Sequence, residues 1–103
     1  KRAVSIVEKN MDNIEFSTDE FAREMNMSRS NLHLKLKAIT GESTIDFIRK
    51  IRFNEAAKLL KDGRYTVAEV STMVGFNTPS YFATSFKKYF GYLPTEYIKR
   101  TKG

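Results

Sequence analysis

The stretch SRSNLHLKLKAITG, residues 28–41, aligns with TPSYFATSFKKYFG, residues 78–91, when the chain is shifted along itself by 50 positions. Both segments open on a hydroxyl residue, repeat apolar residues at the same places and close on a glycine. A generic helical chain has no reason to match at cap, core and stop positions together. The chain therefore contains an internal repeat.

The repeat extends upstream with a shift of 49, which aligns residues 17–20 with residues 66–69 and sets Asn26 opposite Gly75. Both four-residue segments place a hydroxyl three positions before a carboxylate, the capping box that satisfies free N–H groups at a helix start. Asn and Gly tolerate positive φ, as a tight interhelical turn requires. Each copy therefore predicts a helix-turn-helix, with a turn one residue longer in the second copy.

One segment of the first copy also fits a strand, because residues 32–36 alternate between apolar and polar side chains. Its surroundings favour a helix. Ser28 is a good N-cap, Ile39 continues a helical stripe, and Gly41 supplies a stop.

Two further helices are predicted outside the repeated units. Apolar residues with helical spacing suggest a first helix near residues 3–13. A long helix from about Thr44 to Asp62 carries one apolar stripe and ends at Gly63 in a left-handed conformation; the stripe is Ile45, Ile48, Ile51, Ala56, Leu59 and Leu60. We therefore expect an all-α fold with subdomains at 1–43 and 64–103, joined by a linker helix at 44–63.

Composition and charge limit the functional classes. The chain has 103 residues, 41% hydrophobic and 29% charged, which suits one folded domain with one core. Residues 1–27 hold four Lys/Arg and six Asp/Glu, and residues 28–103 hold fourteen and six, so the charge is −2 and then +8. Such a basic block attracts polyanions. No run of about 18 apolar residues exists, and cysteine is absent, which is compatible with the cytoplasm.

A helical wheel shows what the second helix of each copy presents to its surroundings, at about 100° per residue. In the first copy Leu32, Leu36 and Ile39 define the buried stripe, and the outward set is Ser30, His33, Leu34 and Lys37. In the second copy Phe82, Phe86 and Tyr89 are buried, and the outward set is Ser80, Ala83, Thr84 and Lys87. Small, polar and basic residues let a helix enter a DNA major groove.

The linker helix suits a duplex, because roughly 19 residues span about 28 Å at 1.5 Å per residue. One turn of DNA is about 34 Å, so the two recognition helices, near residues 28–40 and 78–90, could enter successive major grooves. Modest bending of the DNA would accommodate the difference.

The motifs resemble the DNA-binding domain of AraC/XylS-type bacterial transcription regulators over nearly the whole chain. The most specific segments are VGFN at 74–77, SYF at 80–82, FKKYFG at 86–91 and PTEY at 94–97. Phe47-Ile48-Arg49, with Arg52, Ala56-Ala57 and Leu59-Leu60, is similar to the linker helix of that family. Residues 27–32, with Leu36-Lys37 and Thr40-Gly41, resemble the form found at the C-terminus of hybrid two-component regulators.

The resemblance implies seven helices in a homeodomain-like arrangement, double-stranded DNA as the partner, RNA polymerase as a candidate partner and no cofactor. Its base-reading positions match Ser30, His33 and Leu34 in the first unit and Pro79, Ser80 and Thr84 in the second. Many members carry arginine in place of Leu34, so the first unit is expected to read fewer bases through hydrogen bonds. Pro79 has no N–H and would act through shape. For phosphate contacts we select Lys37, Arg49, Lys87 and Lys88.

The chain starts at Lys1 and enters a helical pattern almost at once, so we expect a piece of a longer protein whose sensing or dimerisation region precedes it.

Other classes fit less well. His33 is the only histidine and cysteine is absent. A Ser-His-Asp or Cys-His catalytic set with a histidine at any other position is therefore excluded, and so is a metal site with two histidine ligands. The carboxylates Asp19, Glu20 and Glu69 fit helix starts better than acid–base chemistry. The alternative function is a protein-interaction bundle whose basic face binds an acidic partner. Base stacking by the aromatic residues and membrane association through the basic tail near Lys99 have weaker support.

Overall fold

The computed structural model describes residues 2–102, and seven α-helices and no strand are found in that range. They are α1 (Arg2–Lys9), α2 (Thr18–Glu24), α3 (Arg29–Thr40), α4 (Thr44–Asp62), α5 (Val67–Met73), α6 (Pro79–Phe90) and α7 (Pro94–Lys102). The all-α prediction is confirmed, as is the helix over the alternating segment of α3. The first helix ends at Lys9, earlier than expected, and residues 10–12 form a turn.

The chain divides into two compact units. The first unit holds the chain up to Asn10 together with Glu15–Ile51, and the second holds Met11–Ile14 together with the chain from Arg52 onward. Helix α4 contributes its first eight residues to one unit and the rest to the other. The subdomain boundaries expected from the sequence stay predictions.

The first unit packs around Phe21, which is fully buried. Its ring centroid lies 5.9 Å from that of Phe16 and 5.9 Å from that of Phe47. Further buried residues complete this core: Ile6, Val7, Ala22, Leu32, Leu36 and Ile48. Phe47 was absent from the predicted stripe of α4, and Ile45, which was included, is 54% exposed.

The second unit packs around Phe53, which the predicted stripe of α4 also omitted. Its ring lies 5.4 Å from Phe76, 6.3 Å from Phe82 and 6.2 Å from Phe86. Ala56, Leu60, Val70 and Val74 are buried around these rings. Because Phe82 and Phe86 have no exposed surface, they hold α6 in place and cannot stack on bases.

The helix caps repeat as the sequence predicts. Ser28 accepts a hydrogen bond from the backbone N–H of Asn31, and Thr78 accepts one from Tyr81. Gly41 and Gly91 end α3 and α6 with φ of +79° and +90°. These two helices have 12 residues each and begin 50 positions apart.

The interhelical turns also repeat, with the expected positive φ at Asn26 (+58°) and Gly75 (+84°). In the first turn the N–H of Met27 donates to the carbonyl of Ala22, and in the second the N–H of Phe76 donates to that of Ser71. The second turn, residues 74–78, is one residue longer than the first, residues 25–28. The internal repeat is therefore confirmed in the backbone.

The two predicted capping boxes differ. Thr66 and Glu69 form a complete box, with bonds of 3.1 and 2.8 Å in opposite directions. Ser17 accepts from the N–H of Glu20, but the Glu20 carboxylate accepts a hydrogen bond from Arg23 at 3.1 Å. An available arginine one turn along the helix thus competes for the carboxylate that would close the box.

Candidate nucleic-acid interface

Helix α3 is anchored by two residues alone, since Leu32 and Leu36 are buried and its other ten residues are exposed. The predicted base-reading residues Ser30, His33 and Leu34 are among the exposed ones. The prediction that Ile39 is buried is wrong, because its side chain is 71% exposed. It lies in the last turn of the helix, past the part that packs on the core.

Helix α6 is anchored in the same way by Phe82 and Phe86. Pro79, Ser80 and Thr84, the three predicted base-reading residues, are exposed. Pro79 is the first residue of the helix, where its missing N–H leaves no intrahelical bond unmade.

Two wheel assignments in α6 need correction. Ala83, placed on the outward side, is half-buried, and Tyr89, predicted to be buried, is 43% exposed. Tyr89 is equivalent to Ile39, and its ring stacks on Phe53 at 5.0 Å. One face of this tyrosine therefore contacts the core while the rest meets solvent.

The predicted phosphate-contacting residues are exposed cations: Lys37, Arg49, Lys87 and Lys88. None of them forms an ion pair with any of residues 2–102. Two other basic residues do form ion pairs: Arg29 of α3 with Asp19 at 3.3 Å, and Lys50 of α4 with Glu42 at 3.7 Å. The four selected cations are therefore free of internal carboxylates, whereas Arg29 and Lys50 are partly neutralised.

The hydroxyl of Thr84 forms a hydrogen bond within α6. Its hydroxyl donates to the carbonyl of Ser80 at 3.0 Å, one helical turn earlier. The proton of the hydroxyl is thus engaged, while its lone pairs remain available. In this rotamer Thr84 can accept a hydrogen bond from the amino group of adenine or cytosine in a major groove.

Arg52 braces the turn that leads into α6, within the second unit. Its Nη1 donates to the carbonyl of Gly75 at 3.4 Å and its Nη2 donates to the carbonyl of Asn13 at 3.0 Å. Burial lowers the pKa of its guanidinium from the usual value, since charge is disfavoured away from water. The sequence assigned Arg52 only to the family pattern of the linker helix.

Among the exposed residues that were not selected from the sequence are Asn31 and Ala38 in α3 and Tyr81 in α6. On a wheel centred on the two buried leucines, Ala38 and Asn31 lie about 40° and 60° from the outward direction, nearer than His33 at about 100°. The periodicity of the helix was therefore the signal that could have selected both residues.

Other kinds of site find no support in the part of the chain that the structure describes. It contains no cluster of three His, Asp or Glu residues able to hold a metal ion. None of its helices has the length and apolarity needed to cross a membrane. Helices α3 and α6, the second helices of the two helix-turn-helix units, are the candidate DNA-reading elements because of the side chains that each exposes.

Comparisons with known proteins agree with this fold. The sequence model of a family described as a helix-turn-helix domain matches residues 21–100. Histidine kinase P4 of Formosa agariphila is 39% identical over 100 residues, which are 97% of this chain and 7% of the kinase. The HTH-type transcriptional regulator MtrA of Neisseria gonorrhoeae is 33% identical over 101 residues, 96% of this chain and 34% of that protein. The chain thus spans a small part of these curated relatives.

Solved structures are similar as well. The C-terminal domain of AraT, a response regulator from Geobacillus stearothermophilus, has a TM-score of 0.89 at 31% identity, covering 96% of this chain and 82% of that one. A transcriptional regulator from Chromobacterium violaceum, described as containing an AraC-type DNA-binding domain, has a TM-score of 0.86 at 25% identity, covering 96% and 88%. The chain belongs to the AraC-type helix-turn-helix domain family, as the sequence motifs indicated.

Proposed function

We propose that this chain binds specific sequences of double-stranded DNA, with α3 and α6 in successive major grooves of one duplex. The observation that carries the proposal is the matched exposure of the two repeats. Each places a 12-residue helix on two buried anchors and leaves hydrogen-bonding and cationic side chains among its exposed residues. Such a helix fits the width of a major groove and offers hydrogen-bonding groups to base edges.

The proposed base contacts are Ser30, His33 and Leu34 from α3 and Pro79, Ser80 and Thr84 from α6. Serine, threonine and histidine exchange hydrogen bonds with base edges, whereas Leu34 and Pro79 contribute shape and apolar contact. All six side chains are exposed, which such contacts require.

The proposed phosphate contacts are Lys37, Arg49, Lys87 and Lys88. Their charges are not balanced by any carboxylate within residues 2–102, so pairing with phosphate would not cost an internal ion pair. Phosphate contacts supply affinity and register without reading sequence.

At the level of the whole protein, we propose a cytoplasmic bacterial transcription regulator rather than an enzyme, with RNA polymerase as a further partner. The chain would be the DNA-binding part of a longer protein, with subdomains at residues 1–43 and 64–103 around the linker helix. The similarity to a histidine kinase and to a response regulator supports a place in a two-component system. Sensing and dimerisation would then lie in the remainder of that protein.

Selection of binding sites from a random duplex library at near-physiological salt tests the proposal. The wild-type chain should enrich a motif with two segments about one helical turn apart. Thr84→Ala and His33→Ala should each lose preference, in different segments. Lys58→Ala, a charge change at an exposed position outside both helices, is the matched control and should select the wild-type motif.

Two results would contradict the proposal. Absence of any enriched motif would favour the acidic-partner bundle, for which DNA is only a polyanion. A motif that neither Thr84→Ala nor His33→Ala alters would show that other residues read the bases.

A further inference from the structure

The outward face of α3 is apolar at its centre. Relative to the two buried leucines of this helix, Leu34 points in the opposite direction, and Ala38 lies about 40° to one side of it. Both side chains are exposed, Leu34 to 65%. The equivalent positions of α6 hold Thr84 and Lys88, which are polar. The two repeated helices therefore offer different chemistry at the same geometric positions.

Asn31 borders this apolar strip. It is the third residue of α3 and is exposed, and the wheel places it about 60° from Leu34, on the same side as Ala38. Its backbone N–H is fixed by a 3.1 Å bond to the Ser28 hydroxyl. Its side-chain amide has no hydrogen-bond partner within residues 2–102, so both its donor and its acceptor are available. The N-terminal residues of a recognition helix are the ones that reach base edges.

The major groove offers a matching set of groups at A·T pairs. Adenine presents an amino donor and the N7 acceptor, which an asparagine amide binds with two hydrogen bonds. Thymine carries the C5-methyl, an apolar group that a leucine or alanine side chain can cover. Placed over a G·C pair, the same strip would desolvate the O6 and N7 acceptors of guanine without bonding them, which is costly.

We infer that α3 reads an A·T segment of the operator, with Asn31 bound to adenine and with Leu34 and Ala38 against thymine methyls. The inference rests on the proposed DNA binding and names the base pairs that α3 contacts. Since Thr84 and Lys88 replace Leu34 and Ala38 in α6, the two segments of the operator differ in sequence although the protein repeats.

Modified duplexes of the selected site test each contact at the level of single atoms. Each thymine is replaced in turn by deoxyuridine, which lacks only the methyl, and each adenine by 7-deazaadenine, which lacks N7. For the wild-type chain, at least one uridine should weaken binding by about fourfold, the effect of exposing one methyl-sized group. At least one 7-deazaadenine within the same segment should weaken it by about fivefold or more.

The variants assign these effects to residues. At least one uridine effect in the segment should disappear in Leu34→Ala, whereas a uridine effect at the thymine under Ala38 should remain. The 7-deazaadenine effect should disappear in Asn31→Ala. Thr84→Ala is the matched control on the other helix and should leave both effects unchanged. Because Leu34 and Asn31 are exposed, both substitutions leave the buried anchors of α3 intact.

The inference is overturned if no modified thymine weakens wild-type binding, or if every uridine effect in that segment persists in Leu34→Ala. Persistence of the 7-deazaadenine effect in Asn31→Ala would likewise refute the role of Asn31. Failure of the library to enrich any site is a separate result that would reject the proposed function itself.

Discussion

Ser71 in α5 occupies the position that Ala22 holds in α2, and each lies three residues before its interhelical turn begins. The Ser71 carbonyl accepts the N–H of Phe76 at 2.9 Å, and the Ala22 carbonyl accepts that of Met27 at 3.0 Å. Both side chains are buried, yet within residues 2–102 the Ser71 hydroxyl has no hydrogen-bond partner. The second repeat thus buries a polar group where the first buries a methyl.

Ser71→Ala is therefore expected to stabilise the protein by about 1 kcal/mol, because a buried hydroxyl without a partner costs about 1–3 kcal/mol. Urea unfolding followed by circular dichroism measures the change. The reverse substitution in the first unit, Ala22→Ser, should destabilise by a similar amount. A stabilising Ala22→Ser, or a destabilising Ser71→Ala, would contradict this account.

Gly75→Ala is expected to be far more damaging than Gly41→Ala, although both glycines have positive φ near +80°. A Cβ at Gly75 would lie 2.7 Å from the carbonyl oxygen of Met11 and 2.8 Å from Cζ of Arg52, whereas nothing lies within 4 Å of one at Gly41. Gly41→Ala should cost about 1 kcal/mol from backbone strain alone. Gly75→Ala should cost about 3 kcal/mol or more, since steric overlap adds to the strain.

Thermal unfolding of the two glycine variants side by side makes the comparison. Equal losses of stability would show that the contact of Arg52 with this turn does not constrain residue 75.

Leu93 is the N-cap of α7 and lacks a side chain that can cap it. Its N–H donates to Glu96 Oε1 at 3.1 Å, and its carbonyl accepts from Tyr97, so half of a capping box is already present. Leu93→Ser should complete the box, as Thr66 and Glu69 do for α5. Leu93→Ala is the matched control, because both variants lose the same leucine packing.

The serine variant should be about 1 kcal/mol more stable than the alanine variant. Chemical denaturation of both proteins gives that difference. Equal stability would mean that the serine hydroxyl does not reach the first turn of α7.

Binding to the selected DNA should weaken steeply with salt, and Lys87→Ala should reduce that dependence. If Lys87 pairs with one phosphate, its loss should lower the slope of log K against log salt by about 0.9. Titration at several salt concentrations measures the slope. Thr84→Ala should weaken specific binding at an unchanged slope. A slope change in Thr84→Ala would contradict its assignment to a base, and an unchanged slope in Lys87→Ala would contradict its assignment to a phosphate.

Much of the fold could be predicted because its signals are local. Capping hydroxyls, turn residues with positive φ and stop glycines act through the backbone within a few residues, and a repeat shows them twice. For this reason the bounds of α4 and the turns at Asn26 and Gly75 agree with the prediction. The exposure of the selected side chains on α3 and α6 follows from the same periodicity, with Ala83 as the exception.

By itself, the sequence determined the all-α class, the two repeated units and the direction in which each recognition helix is anchored. Tertiary structure decided how far along each helix the anchoring extends. Ile39 and Tyr89 occupy equivalent places in the last turns of α3 and α6, and both were wrongly predicted to be buried. Periodicity gives the angle of a side chain around its helix but not the point at which the packed neighbours end. In α4 the two cores bury different residues, Phe47 and Ile48 in the first unit and Phe53, Ala56 and Leu60 in the second. A single stripe along the helix therefore omitted both phenylalanines and included Ile45, which is exposed.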